Sequence, residues 1–481
     1  MTSPDLSALH RDSSWEGIHA VIGGLGVSGF AAADSLNHLG AHVTVLDDGD
    51  NEWLRDKARL LEILGATVRL GQGATSSLHA DVDLVVTSPG WAPQTPLLVQ
   101  AAKRPIPIWG EVELAWRLRG ENPAPWLAIT GTNGKTTTVQ MLDAILRADG
   151  LNSIAVGNVG IPVLEAVMNP EHFDVLAVEL SSFQLHWSES ISAEAAAVLN
   201  VAPDHLDWHG SAEAYSRAKG RIYENARRAC VYNVQDPATE RLVLDAEVVE
   251  GCRAIGFTLG IPGPSMIGIV DNVIADRAFI DGRHTGAVEL GTLADINPAA
   301  PHNVANALAA AALARAHGVS QRAVRDGLRG FTPDAHRITD VATIMGVHYV
   351  DDSKATNTHA AQASLAAFDS VVWIAGGLAK GASFDELVEG ARGRLRAVIL
   401  IGRDRDVIAD ALRRHAPDVR VENVDPGETD LMDRVVDAAA SHARATDTVL
   451  LAPGCASMDQ FENYAARGDA FAEAVRRREA R

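Results

Sequence analysis

The chain has 481 residues, 47% of them apolar and 22% charged, with a formal net charge of −20 at neutral pH. That length exceeds what one hydrophobic core usually serves, so two or three domains are expected. The acidic balance argues against nucleic acid or an anionic membrane surface as the main partner, yet leaves room for a small anionic ligand held by a few local donors.

The first unit reads as a strand over His19–Ile22, a glycine turn, a helix over Phe30–Leu39 and a strand over His42–Leu46, followed by Asp47 and Asp48. Gly24, Gly26 and Gly29 keep the G-x-G-x-x-G spacing, with an acid about 20 residues on, as nucleotide-binding turns do. Such a turn lets a phosphate approach the N-terminus of the helix. The same glycines would also serve any tight strand-to-helix turn of an α/β domain. The strand in DLVVTSPG ends at Ser88-Pro89-Gly90, where a second ligand loop can stand beside the first. This domain is expected to end between Gly110 and Arg117, before the Pro-containing link ENPAP.

A second α/β domain opens with WLAITGTNGKTTTVQMLDAIL, a hydrophobic strand, a glycine turn carrying a lysine, and a helix. Backbone N–H groups of Gly131, Thr132, Asn133, Gly134, Lys135, Thr136 and Thr137 can surround phosphate oxygens. Lys135 would neutralise β- and γ-phosphates, and the Thr136 hydroxyl would hold Mg²⁺. The general Walker loop has about four residues between its outer glycine and the Gly-Lys pair. Here only Thr132 and Asn133 intervene, so that motif is not strictly met. Glu179 closes the apolar strand of DVLAVELSS, where a carboxylate suits Mg²⁺ or, more plainly, a helix start. His205 follows the strand of AAAVLNVAPDHLDWHG, crowded by Asp204, Asp207 and His209, and which of them faces a metal stays open. Lys219, within SAEAYSRAKGRIYENA, has the local pattern of a surface lysine. Residues from Cys230 to Asp295 read as smaller strands, and PHNVANALAAAALARAHG returns to a buried helix.

A third α/β unit begins near Phe331, with strands in VHYVDD, VVWIAGG, AVILIG and TVLLAPG separated by helical segments such as THAAQASLAAF and DRDVIADALRRHAP. Cys230, Cys252 and Cys455 are odd in number and far apart, which gives no disulfide framework and no paired metal spacing. The N-terminal stretch lacks an apolar signal core, and no run is long enough to span a bilayer. A soluble cytoplasmic protein without membrane insertion is expected.

The ordered set GTNGKTTT, ELSSFQL, NVAPDHLD with YSRAKGRIY, PHNVANALAA, HR, DDSKATN and APGCASMDQF resembles the Mur ligases, and within them the branch that adds D-glutamate. The match runs through nearly the whole chain, and that family uses the shortened glycine loop. The resemblance implies a three-domain α/β protein. An N-terminal Rossmann-like domain (1–115) would bind a UDP-linked precursor, and a central P-loop ATPase-like domain with a mostly parallel sheet (116–333) would bind ATP and Mg²⁺. A C-terminal Rossmann-like domain (334–481) would carry nucleotide and D-glutamate contacts. The implied reaction is ATP-dependent addition of D-glutamate to UDP-N-acetylmuramoyl-L-alanine by a monomer, through an acyl phosphate.

By the same resemblance Gly26, Val27, Ser28, Asp47 and Ser88 contact the precursor, with Asn158 near the reacting centre. Lys219 matches a lysine that the family carbamylates, a carboxylate-like ligand that would hold Mg²⁺ with Thr136, Glu179 and His205. Asn303, Arg337, Asp352 and Lys354 face the nucleotide, and Lys354 joins Lys135, Glu179, His205 and Lys219 as a catalytic group. Lys380, Ser457 and Tyr464 receive D-glutamate. The family often has phenylalanine at the Tyr464 position, and an acidic residue common before Lys380 is missing. A dinucleotide oxidoreductase is the rival that the first glycines suggest, but it leaves Lys135, Glu179 and DDSKATN unexplained. No Asn-Pro-Arg motif of the diamino-acid-adding relatives occurs in the C-terminal domain.

Overall fold

The computed structural model describes residues 5–426 and 430–481. The first sheet holds β1 (His19–Gly23), β2 (His42–Asp47), β3 (Thr67–Leu70), β4 (Leu84–Thr87) and β5 (Ile108–Gly110), all parallel in the order β3-β2-β1-β4-β5. Strands β1, β2 and β4 are buried on both faces, which explains their unbroken apolar runs. The helix after β1 spans Val27–His38 and so begins earlier than the sequence suggests, because Gly26 already serves as its N-cap. Close approach demands the glycines here: a Cβ on Gly29 would fall 1.8 Å from the Gly24 carbonyl oxygen.

The second sheet holds β6 (Trp126–Thr130), β7 (Ser153–Gly157), β8 (Val175–Glu179), β9 (Ala195–Val198), β10 (Ala229–Asn233), β11 (Arg253–Phe257), β12 (Met266–Val270), β13 (Val273–Asp276) and β14 (Val288–Thr292). Its order is β14-β13-β12-β11-β10-β9-β6-β8-β7, parallel except for the β12-β13-β14 meander. The alanine-rich segment is a buried helix, Pro301–His317, whose Ala307 and Ala309–Ala312 have no exposed surface. Small side chains let it lie close against the sheet.

One apolar cluster runs from Ala20, Ile22 and Val43 of the first sheet through the helix Glu111–Arg117 to Ala128, Val178 and Val198 of the second. Residues up to Ile296, with Val304–Phe331, accordingly form one compact unit, and Asn297–Asn303 with Thr332–Arg481 form another.

The third sheet belongs to the latter unit: β15 (Thr339–Ile344), β16 (Val347–Asp351), β17 (Val371–Gly376), β18 (Leu395–Ile401), β19 (Arg420–Asn423) and β20 (Thr448–Leu451), in the order β15-β16-β20-β17-β18-β19. All pairs are parallel except β15 with β16. Strands β15 and β19 escape the sequence reading because both are edge strands with little buried surface, and edges carry polar side chains.

Two features are not visible in the local sequence. Cys230 and Cys252, distant in the chain, place their sulfurs 3.9 Å apart as free thiols, since β10 and β11 are neighbours. Lys219 is 1% exposed, unlike the surface lysine that its local pattern alone suggests. Among the described residues no helix is long and apolar enough to cross a membrane.

Candidate active site

The loop Gly131–Gly134 leaves the C-terminal end of β6 and opens the helix Lys135–Ala148. Gly134 holds φ +84° over the side chain of Asn306, where a Cβ would stand 2.3 Å from Oδ1, so this backbone is reserved for glycine. The exit of β9 straps the loop from the other side. Thr132 N donates to Asn200 O (3.0 Å), Asn133 N to Asn200 Oδ1 (2.9 Å), and the Thr132 hydroxyl lies 3.1 Å from that of Tyr215. Lys135 folds back, its Nζ donating to the carbonyls of Gly131 (2.9 Å) and Thr132 (3.0 Å). Thr136 and the buried Thr137 continue the first helical turn.

Lys219 reaches the same place from the helix Ala212–Gly220 and donates to Gly131 O at 2.8 Å. Burial, then the charge of Lys135, pushes its amine well below the usual lysine range, while Asp204 and Glu179 pull it back up. Glu179 ends β8 with 1% exposure; Oε1 accepts from Asn158 Nδ2 at 2.9 Å, and Oε2 is buried without a hydrogen-bond partner. An orphaned carboxylate oxygen beside two amines and a phosphate-type loop suits a hard cation. Among the described residues no group of three or more His, Cys, Asp or Glu side chains is arranged to hold a metal. Hydroxyl, phosphate and water oxygens are the partners Mg²⁺ prefers beside such a carboxylate.

Of the crowded histidines, His209 is the engaged one. It pairs with Ser182 Oγ at 3.0 Å, stacks on Phe183, and is pushed down to about 4 by burial and by the charges of His186, His205 and Lys219. His205, in a left-handed conformation, is half-exposed, with its ring 4.8 Å from that of Phe183.

In the first sheet, Gly26, Val27 and Ser28 form the open first turn of their helix, next to the exit of β1. Asp47 is an organiser of that turn: its carboxylate accepts from Leu25 N and Gly49 N, each at 2.7 Å. Ser88 follows β4, its N–H bonded to Gly23 O at 2.9 Å, so both loops sit at the switch point where strand order reverses.

In the third sheet, Asp352 and Lys354 follow β16. Lys354 places its Nζ 3.8 Å over the ring of Tyr464. Asp352 is buried beneath its loop, bonded to Ser364, and raised to about 6 by burial, against the pull of Ser364 and Arg337. Lys380 is exposed after β17, and Ser457 is buried after β20; Leu378 and Ala456 exchange backbone bonds of 2.8 and 3.0 Å and hold these two loops together. Asn303, in the first turn of its helix, gives its side-chain N–H to Pro298 O at 2.8 Å.

The likeness to known proteins agrees with this geometry. The Mur ligase MurD-like N-terminal domain matches residues 18–110, the Mur ligase middle domain 129–314, and the Mur ligase glutamate ligase domain 336–455. A UDP-N-acetylmuramoylalanine--D-glutamate ligase of Streptomyces avermitilis is 63% identical over 96% of this chain and 99% of its own length. The chain belongs to the Mur ligase family. The enzyme of the same description from Mycolicibacterium smegmatis is 46% identical over 96% and 97% of the two chains. Solved structures share the fold at low identity. The UDP-N-acetylmuramate–alanine ligase MurC of Thermotoga maritima has a TM-score of 0.57 at 17% identity, covering 96% of this chain and 99% of that one. The MurF ligase of that organism, in complex with ADP, gives 0.56 at 16%, covering 99% and 100%.

In this Mur ligase the loops are also held by residues that sequence reasoning passed over. Asn200 and Tyr215 brace the loop, and Asn306 packs under Gly134. Arg467, fully buried, ties Ser353 Oγ (2.9 Å) and Ser353 O (2.9 Å) to Cys455 O (3.2 Å), joining the Lys354 and Ser457 loops. An arginine on an amphipathic helix gives no local sign of such burial.

Proposed function

We propose that this Mur ligase joins D-glutamate to the L-alanyl carboxylate of UDP-N-acetylmuramoyl-L-alanine, converting ATP to ADP and phosphate through an acyl phosphate. The observation that carries the reading is the convergence of Lys135 and Lys219 on one carbonyl, beside a buried carboxylate oxygen with no partner. The names of the close relatives and the glutamate ligase domain support glutamate as the incoming amino acid.

In this reading Lys135 leaves Gly131 and Thr132 when ATP enters and follows the charge of its γ-phosphate, while the loop N–H groups hold the phosphate oxygens. The precursor carboxylate attacks the γ-phosphorus, and the glutamate amine then attacks the acyl carbon and expels phosphate. Lys219, its ammonium form disfavoured by burial, presents the neutral amine that reacts with CO₂; the carbamate turns a repulsive cation into an oxygen ligand. Thr136, Glu179, His205 and the modified Lys219 would hold Mg²⁺, which supplies charge neutralisation between anionic nucleophile and triphosphate.

Gly26, Val27, Ser28 and Ser88 take the uridine diphosphate end, with Asp47 shaping their turn and Asn158 fixing Glu179 near the reacting carboxylate. Asn303, Arg337, Asp352 and Lys354 serve the nucleotide, and Lys380, Ser457 and Tyr464 serve D-glutamate. The work divides among residues 1–115, 116–333 and 334–481, and the enzyme acts as a cytoplasmic monomer. The test is an amino-acid panel with UDP-N-acetylmuramoyl-L-alanine and ATP, read by phosphate release and product mass. Turnover confined to D-glutamate is expected; turnover with another amino acid alone would overturn the assignment.

A further inference from the structure

Trp208 stands on the short helix Leu206–His209, just past His205. Its indole N–H donates to the carbonyl of Gly90 at 3.1 Å, a contact between positions 118 residues apart. Its ring is wedged edge-on among Phe183 (5.0 Å), His186 (5.0 Å) and His209 (4.5 Å). Phe183 and His186 lie on the turn of helix Ser182–His186, which follows Glu179 directly, and His209 is fastened to Ser182. The indole is thus fixed to the segment that bears Glu179 and His205.

On the other side, Gly90 belongs to the turn closed by Trp91 N donating to Ser88 O at 3.1 Å. That turn sits on the exit of β1: Ser88 N bonds Gly23 O, and the Trp91 ring is so close that a Cβ on Gly23 would fall 2.8 Å from it. One side chain therefore connects the loop after β4 to the loop after β9. Nothing in the local pattern LDWHG marks this; a tryptophan there reads as half-buried filler.

We propose that Trp208 is a positioning residue for the precursor, fixing the Ser88–Gly90 loop at a set distance from the Glu179–His205 segment. The inference rests on the proposed function, in which the precursor's nucleotide end meets the first loop and its carboxylate end reacts near the second. A long substrate held at both ends binds well only if the two ends of its site are already at the right separation. Without the indole bond the loop after β4 keeps its own bonds to β1 but loses this tie to the second segment, and the substrate must fix the separation itself. The loss then falls on precursor affinity and leaves the ATP loop, braced independently by Asn200 and Asn306, as it was.

The experiment compares full-length wild type with Trp208→Phe, which keeps an aromatic wedge and removes the N–H, and with Trp208→Ala. Losing one net hydrogen bond should weaken calorimetric binding of UDP-N-acetylmuramoyl-L-alanine and raise its KM by about three- to ten-fold in Trp208→Phe. The KM values for ATP and D-glutamate, kcat and Tm should stay near wild type, and amide exchange at Gly90 and Trp91 should quicken. Trp208→Ala should raise the precursor KM further. Precursor binding unchanged within two-fold in both variants would overturn the inference, as would a parallel shift of all three KM values with Tm. Because the binding measurement needs no turnover, a wild type that binds the precursor but uses another amino acid would sink the proposed function and leave this inference standing.

Discussion

At the scale of single residues, the site is governed by an unfavourable placement. Two lysine amines share the Gly131 carbonyl, and one of them, Lys219, is buried with its ammonium form disfavoured. The sign of the linkage follows: a lysine whose folded pKa is lowered binds fewer protons in the fold than in the unfolded chain. Stability is therefore lost as pH falls below the unfolded value near 10.5, and at neutral pH Lys219 destabilises the unmodified protein. Lys219→Met keeps the volume and removes the charge, so it should raise the urea midpoint at pH 7 in CO₂-depleted buffer while ligation falls at least about 100-fold. A lower midpoint in that variant would show that the amine is a net stabiliser through its bond to Gly131.

At the scale of elements, the helix Glu111–Arg117 is the joint between the first two sheets. Glu111 is 3% exposed, and its Oε1 accepts from Leu164 N at 2.7 Å at the start of helix Val163–Met168. Burial raises it to about 7, against the pull of that backbone bond. A raised carboxyl contributes stability that is complete below its unfolded pKa of 4.5 and is lost as pH climbs through 7. Glu111→Gln keeps the acceptor and cannot ionise. Wild type and variant should match near pH 4.5, and the variant should be more stable by roughly 3 kcal/mol at pH 8. Equilibrium denaturation at the two pH values checks this, and a gap that is constant with pH would refute it.

At the scale of the whole molecule, the shared core predicts which fragments stand alone. A chain cut after residue 115 would divide the apolar cluster that Trp109, Val112 and Leu114, all of them at most 6% exposed, now share with residues of the second sheet. A chain ending at Phe331 keeps that core whole. Residues 1–331 should melt cooperatively by circular dichroism, whereas residues 1–115 should show no cooperative transition. The reverse result would mean that the first sheet is stable on its own faces alone.

The elements that sequence made legible are those whose physics is local. Glycine turns such as Gly131–Gly134 are visible because only glycine tolerates their backbone and close contacts, and β1, β6 and β17 are visible because strands buried on both faces read as apolar runs. The family resemblance rested on motif order, which is likewise a property of the chain. Tertiary structure alone decided the rest. It buried the Lys219 amine that the local pattern alone would leave at the surface, chose His209 as the fastened histidine, set Arg467 under two loops, and brought Cys230 beside Cys252. Each of these depends on partners far away in sequence, and the desolvation and long-range contacts that define them exist only after the sheets have closed over their helices.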